Sequence, residues 1–137
     1  MSVRGIRGAT TAADNTAAAI VEATEELLKE LIRINDIDPA EVCFAYFTTS
    51  QDLDAEYPAL AARRMGWVDV PLLCGNDMEV AAPNPRAIGK AIRILLLHNT
   101  DRPQVEMRSA YLRGAQAIKA DLDLTKSELT EQELTGQ

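Results

Sequence analysis

The spacing of apolar residues along this chain alternates between the period of a helix and the period of a strand. Ile20, Leu27, Leu28 and Leu31 share one helical stripe while most charged residues fall off it, which predicts an amphipathic helix over residues 16–34. The β-branched and aromatic run over residues 42–49 predicts a buried strand. Both periods therefore occur within one chain, as in folds that combine a sheet with helices.

The same pattern predicts the remaining elements. We expect further strands at residues 3–9 and 67–73, a strand or a pair of strands at residues 87–98, and one short helix at residues 58–65. Residues 74–77 are typical of a turn-rich loop, and a helical face from Met107 to Ile118 predicts another helix. Strands that alternate with helices predict an α/β (α+β) fold, with a single domain over residues 1–122 and an acidic, flexible tail over residues 123–137.

Charge and composition exclude several classes of function. The 137 residues carry a formal net charge of −7, which repels nucleic acid and anionic membranes, so we expect neither as a partner. Cys43 and Cys74 lack metal-binding spacing and are typical of reduced thiols in a cytoplasmic protein, and Arg4 and Arg7 interrupt any signal peptide. The single histidine, His98, argues against histidine-rich metal sites and histidine-dependent nucleophiles. Because the net negative charge also repels anions, any anion site must be a local cluster of arginines.

Arg93 lies in the most apolar stretch of the chain, residues 91–97, without an acidic neighbour in sequence. A guanidinium cannot lose its proton, so a buried Arg93 needs a partner from elsewhere in the fold, from another subunit or from an anionic ligand. Arg7 raises the same question in the first strand, where Arg4 faces the opposite side. The residues alone leave open an internally paired or solvent-facing arginine, and a site in which Arg7 and Arg93 bind a small dianion.

The other polar candidates have equally ordinary explanations. Asp77 and Glu79 are typical of solvated acidic residues in a loop. Arg63 is typical of a cation near the end of a short helix, where its charge complements the helix dipole. Tyr111 fits core packing, and Cys74 fits a small apolar filler rather than a nucleophile. No single residue identifies a function.

Several short motifs, however, occur in a fixed order along almost the whole chain. They are RGIRGATT at 4–11, YPA at 57–59 with Arg63, VPLLC at 70–74 with Asp77, IR at 92–93 before NTD at 99–101, YL at 111–112 with Ala115, and DL at 121–122. Together, over residues 3–125 and with few offsets, they resemble the trimeric α/β class of chorismate mutases.

The resemblance implies an isomerase of aromatic amino-acid biosynthesis, in the shikimate pathway, that converts chorismate to prephenate. It implies a mixed sheet packed with helices, and a homotrimer with a pseudo-barrel core and active sites in clefts between neighbouring subunits. The reaction is a Claisen rearrangement that needs no metal, organic cofactor, covalent intermediate or proton transfer. We therefore expect no cofactor, and a chain with one histidine suits this chemistry.

Carried over by position, the resemblance implies that Arg93, Asp77 and Arg7 are the catalytic residues. We expect Arg93 to donate to the ether oxygen of chorismate, and Asp77 to lie near the positive charge that develops on the ring. The substrate-binding set that it implies is Arg7, Tyr57, Arg63, Leu73, Cys74, Gly75, Asn76, Asp77, Arg93 and Tyr111. In this set Tyr111 binds a substrate carboxylate, and Arg63 is a mobile gate beside Tyr57.

Two departures from the family pattern affect these expectations. Asp77 stands where the family usually has a glutamate, one methylene longer, and Glu79 compensates only if the segment is extended. Leu60 and Lys119 stand where the family often carries lysine and arginine. If these outer cations help to capture substrate, Leu60 removes one of them, and we expect a higher KM. Two alternative functions stay open: an imine or enamine deaminase of the same architecture, and a non-catalytic trimeric sensor of carboxylates.

Overall fold

A computed structural model describes residues 1–81 and 83–135, which form a five-stranded mixed sheet packed with helices. The strands are β1 (Ser2–Thr11), β2 (Val42–Thr49), β3 (Leu72–Asn76), β4 (Ala91–Thr100) and β5 (Ala110–Tyr111). Their order is β3-β2-β4-β1-β5, with β4 antiparallel to β1 and β2, β3 parallel to β2, and β5 parallel to β1. The predicted α/β fold class is confirmed.

One face of the sheet is covered by helices α1 (Ala17–Asn35) and α2 (Ala59–Arg64). The apolar stripe of α1 is buried against Ile6, Phe47 and Leu96 of the sheet. Thr16 caps this helix, because its hydroxyl accepts a hydrogen bond from the backbone N–H of Ala19 (3.1 Å). Within the described ranges, no helix is both long enough and apolar enough to cross a membrane.

The opposite face of the sheet, here called the open face, carries the alternate side chains. Along β4, Ile92, Ile94 and Leu96 are buried on the helix side, whereas Arg93 and Leu95 are exposed. This alternation follows from the two-residue period of a strand. An arginine can therefore stand in an apolar strand without being buried in the core.

The third strand begins later than predicted. Residues 67–73 were expected to form it, but Trp67 is buried in the turn after α2, and the strand runs from Leu72 to Asn76. Pro71 precedes the strand and accepts a hydrogen bond from the Ala45 N–H through its carbonyl (3.1 Å). The predicted loop at 74–77 is therefore wrong: Cys74, Gly75 and Asn76 pair with β2, and only Asp77 lies beyond the strand. Local turn propensity was overridden by pairing in the sheet.

The predicted helix through Met107 and Tyr111 is also wrong. The segment forms β5 beside β1, and helix α3 begins only at Gln116 and runs to Thr135. The Asn35 side chain holds this segment in place, since it accepts from the Arg108 N–H (2.8 Å) and donates to the Arg108 carbonyl (2.9 Å). Most of the predicted tail, residues 123–135, is thus helical. The flexibility of the tail stays a prediction. Residues 136–137 lie outside the described residues.

The single histidine gives the fold a pH dependence. His98 is 2% exposed on the helix side of β4, and its Nε2 lies 3.3 Å from Met107 Sδ. Burial, assisted by the charge of Arg102, lowers the pKa of His98 below its usual 6.5. The unfolded chain therefore takes up this proton more readily than the folded protein.

We predict that the free energy of unfolding decreases as the pH falls below about 6.5 towards the lowered pKa of His98. The substitution His98→Leu removes the titrating group and should flatten this dependence between pH 7 and pH 5. Urea unfolding of both proteins across this range measures the effect. An equal pH slope in the two proteins would contradict the assignment.

Candidate active site

Arg7, Arg93 and Tyr111 line one cavity of about 310 Å³ on the open face. Ala9 pairs with Arg93 on one side and with Tyr111 on the other, and Arg7 lies two residues before Ala9, so the three side chains share a face. The complete lining is Arg7, Gly8, Ala9, Tyr46, Thr48, Arg86, Arg93, Ile94, Leu95, Tyr111, Ile118 and Leu122. Among the lining side chains that the structure describes, three are guanidiniums and none is acidic, which suits a small anion.

The partner of Arg93 is Asp77. Arg93 Nε lies 3.2 Å from Asp77 Oδ2, and the two side chains are 45% and 18% exposed. Arg93 is thus internally paired and also faces the cavity, so the first interpretation applies and the binding of a dianion by Arg7 and Arg93 stays a prediction. A half-exposed ion pair adds little to stability, so its main effect is to orient the guanidinium.

Asp77 is itself held from two sides. Its backbone N–H donates to the Thr49 carbonyl (2.8 Å), which fixes the chain as it leaves β3. Its Oδ1 accepts a hydrogen bond from the Thr48 hydroxyl. Thr48 pairs with Arg93 across β2 and β4, and both therefore point to the open face. Glu79 is exposed, and its compensating role stays a prediction.

The remaining predicted residues form a second group. Tyr57, Arg63, Leu73 and Cys74 line another cavity of about 250 Å³. Gly75 and Asn76 line the neighbouring cavity, again with Tyr57 and Cys74. None of these six residues lines the cavity of Arg7 and Arg93. Within one chain, the predicted set is therefore divided between two places.

Cys74 has the character of a packing residue rather than a nucleophile. Its side chain packs against the core beneath β3. Burial raises the pKa of the Cys74 thiol, although a backbone hydrogen bond and the charge of Arg63 oppose this effect. The thiolate is the reactive form, so this environment disfavours covalent chemistry at Cys74.

Several cavity residues were missed by sequence reasoning. Tyr46 and Thr48 alternate with buried residues of β2, so the strand period together with the position of Arg93 could have indicated them. Arg86 is brought to the cavity by a proline-containing loop, where the Asn84 side chain accepts from its backbone N–H (2.9 Å). Ile118 comes from the first turn of α3. Loop and turn geometry leave no spacing signal of this kind in the sequence.

Comparison with known proteins gives a consistent result. Residues 3–122 match the profile of the family described as chorismate mutase type I. The chain is 42% identical to chorismate mutase AroH of Thermus thermophilus over 122 residues, which cover 88% of this chain and 97% of that protein. It is 37% identical to chorismate mutase AroH of Bacillus subtilis (strain 168) over 128 residues, or 93% and 98% of the two chains. A solved chorismate mutase from Clostridium thermocellum superposes with a TM-score of 0.77 at 42% identity, covering 82% of this chain and 96% of that chain.

The close contact between Gly75 and Tyr46 is testable. The Tyr46 ring crosses β3 at Gly75, and a Cβ at this position would overlap the tyrosine hydroxyl. We predict that Gly75→Ala lowers the free energy of unfolding by about 1–3 kcal/mol through overpacking. Adding Tyr46→Phe removes the overlapping oxygen and should recover most of this loss in urea unfolding. Additive losses in the double variant would show that the contact is not the cause.

Proposed function

The chain belongs to the chorismate mutase type I family, and we propose that it rearranges chorismate to prephenate in the cavity of Arg7 and Arg93. The observation that carries this assignment of the site is the convergence of Arg7, Arg93 and Tyr111 on one cavity, with Asp77 holding Arg93. The chain is an isomerase, and the deaminase and sensor alternatives are not favoured by the family match.

Substrate binding requires a cavity that holds a dianion in one shape. Chorismate carries two carboxylates and must fold into a compact, chair-like conformer before it reacts. Arg7 and Tyr111 donate to the carboxylates in this proposal, and Arg86 adds a cation at the edge of the cavity. Holding the reactive conformer lowers the entropic part of the barrier.

Catalysis then depends on charge that develops in the transition state. The ether C–O bond breaks ahead of C–C bond formation, so negative charge grows on the ether oxygen and positive charge on the ring. Arg93 donates to this oxygen, and Asp77 lies near the ring and its hydroxyl. The ion pair orients Arg93 before substrate arrives, and one such preorganised donor typically contributes about 3–4 kcal/mol.

We also propose a homotrimer in which each active site is shared between subunits. Leu73 and Leu95 are 66% and 39% exposed on the open face of the isolated chain, and Tyr57 is 68% exposed. A sheet face that carries large apolar residues is usually buried, and here the open faces of three copies would form a pseudo-barrel core. The group of Tyr57, Arg63 and Leu73 from one subunit would then close over the cavity of Arg7 and Arg93 in the next.

A cytoplasmic location is part of the same proposal. The cysteines of the chain, Cys43 and Cys74, are unpaired thiols, as is usual in a reducing compartment. The acidic balance of the chain disfavours nucleic acid and a membrane surface as partners, whereas the local cluster of Arg7, Arg86 and Arg93 supports binding of the small anions chorismate and prephenate.

The reaction is tested by mixing the purified protein with chorismate and following the ultraviolet absorbance of the substrate. We expect rapid loss of chorismate with formation of prephenate. Binding without loss would support the sensor instead, and turnover of an enamine without turnover of chorismate would support the deaminase.

We predict that Arg93→Lys lowers kcat about 100-fold or more while KM rises less than about 10-fold. A lysine keeps the charge but lacks the planar fork that can bind Asp77 and the ether oxygen together. Arg64→Lys is the matched control, since Arg64 is exposed on α2 and lines none of the three cavities described above. Wild-type turnover by Arg93→Lys would refute the role of Arg93.

The shared site predicts complementation between inactive variants. Arg7→Ala removes one side chain from the cavity of Arg7 and Arg93, and Arg63→Ala removes one side chain from the group of Tyr57, Arg63 and Leu73. If a site takes one group from each of two subunits, equal co-expression should restore about one site in four. Activity of the co-expressed protein would then exceed the mean of the separate variants. Activity equal to that mean would indicate that each site lies within one subunit.

A further inference from the structure

Thr48 contributes a hydroxyl to the active site that the mechanism above does not use. It lines the cavity on the open face, directly across the strand pair from Arg93. Its Oγ1 donates to Asp77 Oδ1, while the other oxygen of Asp77 is paired with Arg93 Nε at 3.2 Å. The three side chains thus form a chain of two successive contacts, from the Thr48 hydroxyl to the Asp77 carboxylate and from this carboxylate to the Arg93 guanidinium.

We propose that Thr48 is a positioning residue for the rearrangement, and that its hydroxyl acts through Asp77 to hold the Arg93 guanidinium in its catalytic orientation. This inference rests on the proposed function of the cavity. Thr48 contributes no charge and makes no bond to chorismate in this role.

The geometry explains why a hydroxyl is needed here. The backbone N–H of Asp77 is fixed by the Thr49 carbonyl (2.8 Å), but its carboxylate can still rotate about the bond to Cβ. The Thr48 hydroxyl restrains one oxygen and so presents the other to Arg93. Threonine is β-branched, so its side chain has few rotamers and offers a stiff donor on a strand.

The effect should appear in kcat more than in KM. Arg93 is 45% exposed and carries a long, flexible side chain, so a loosened carboxylate allows the guanidinium to move. Misplacing a catalytic group by about 1 Å can lower a rate by about 100-fold. Ground-state binding relies on the cations around the cavity, whose number does not change when the hydroxyl is removed.

The experiment is a double-mutant cycle on the full-length enzyme, measured by chorismate turnover. We expect Thr48→Val, which keeps the shape but removes the hydroxyl, to lower kcat about 10-fold and to change KM less than about twofold. Thr48→Ser restores the hydroxyl and should recover most of the rate. In the Asp77→Ala background, Thr48→Val should change kcat less than about twofold, because the residue through which it acts is gone.

Thr10→Val is the matched control. Thr10 is fully buried on the helix side of β1, and its hydroxyl has no hydrogen-bond partner among the described residues. The same substitution there should leave kcat and KM unchanged. Thermal unfolding of every variant, compared with the unmodified chain, separates loss of positioning from loss of fold.

The proposal is overturned by wild-type kcat in folded Thr48→Val, or by an equal loss of kcat from this substitution with and without Asp77. An equal loss would show that the hydroxyl acts independently of Asp77. These outcomes are distinct from failure of the proposed function, which would appear as absence of turnover by the unmodified chain.

Discussion

The ion pair between Arg93 and Asp77 joins parts of the chain that the sequence keeps 16 positions apart. Arg93 stands on the open face of β4, and Asp77 follows β3 at the edge of the sheet, with β2 between them. The pair explains how an arginine can occupy the most apolar strand of an acidic protein and still face a cavity. It also gives the guanidinium a defined orientation, and the proposed stabilisation of charge on the ether oxygen depends on that orientation.

The sheet supplies the rest of the site by geometry. The side chains of β1, β2 and β4 point alternately to the buried helix side and to the open face of the sheet. Arg7, Thr48 and Arg93 therefore converge on the open face although they are far apart in sequence. The buried side holds the core that stabilises the fold. Function and stability are thus assigned to opposite faces of the same strands, and a substitution on one face need not disturb the other.

Much of the fold could be predicted from the sequence where the local pattern and the tertiary structure agree. The run 42–49 became β2 with the predicted bounds, and the long amphipathic stripe became α1, which begins one residue after Thr16. These elements have strong periodicity and clear end signals. The order of short motifs indicated the family, and its residues Arg7, Arg93 and Tyr111 do meet at one cavity.

The errors lie where distant contacts decide the structure. Residues 74–76 have the composition of a turn but are held as a strand by β2, and residues 110–111 follow a helical period but pair with β1. The strand period could place Thr48 on the face of Arg93, but it could not show that the Thr48 hydroxyl reaches Asp77. The position of Arg86 could not be predicted because a loop arginine carries no distinctive spacing.

The most direct test of this account is a crystal structure of the enzyme with a transition-state-like dicarboxylate bound. We predict that its ether oxygen lies within hydrogen-bond distance of Arg93, with Asp77 still paired to this arginine and its carboxylates near Arg7 and Tyr111. A ligand bound elsewhere, or an Arg93 that points to bulk solvent away from it, would contradict the account.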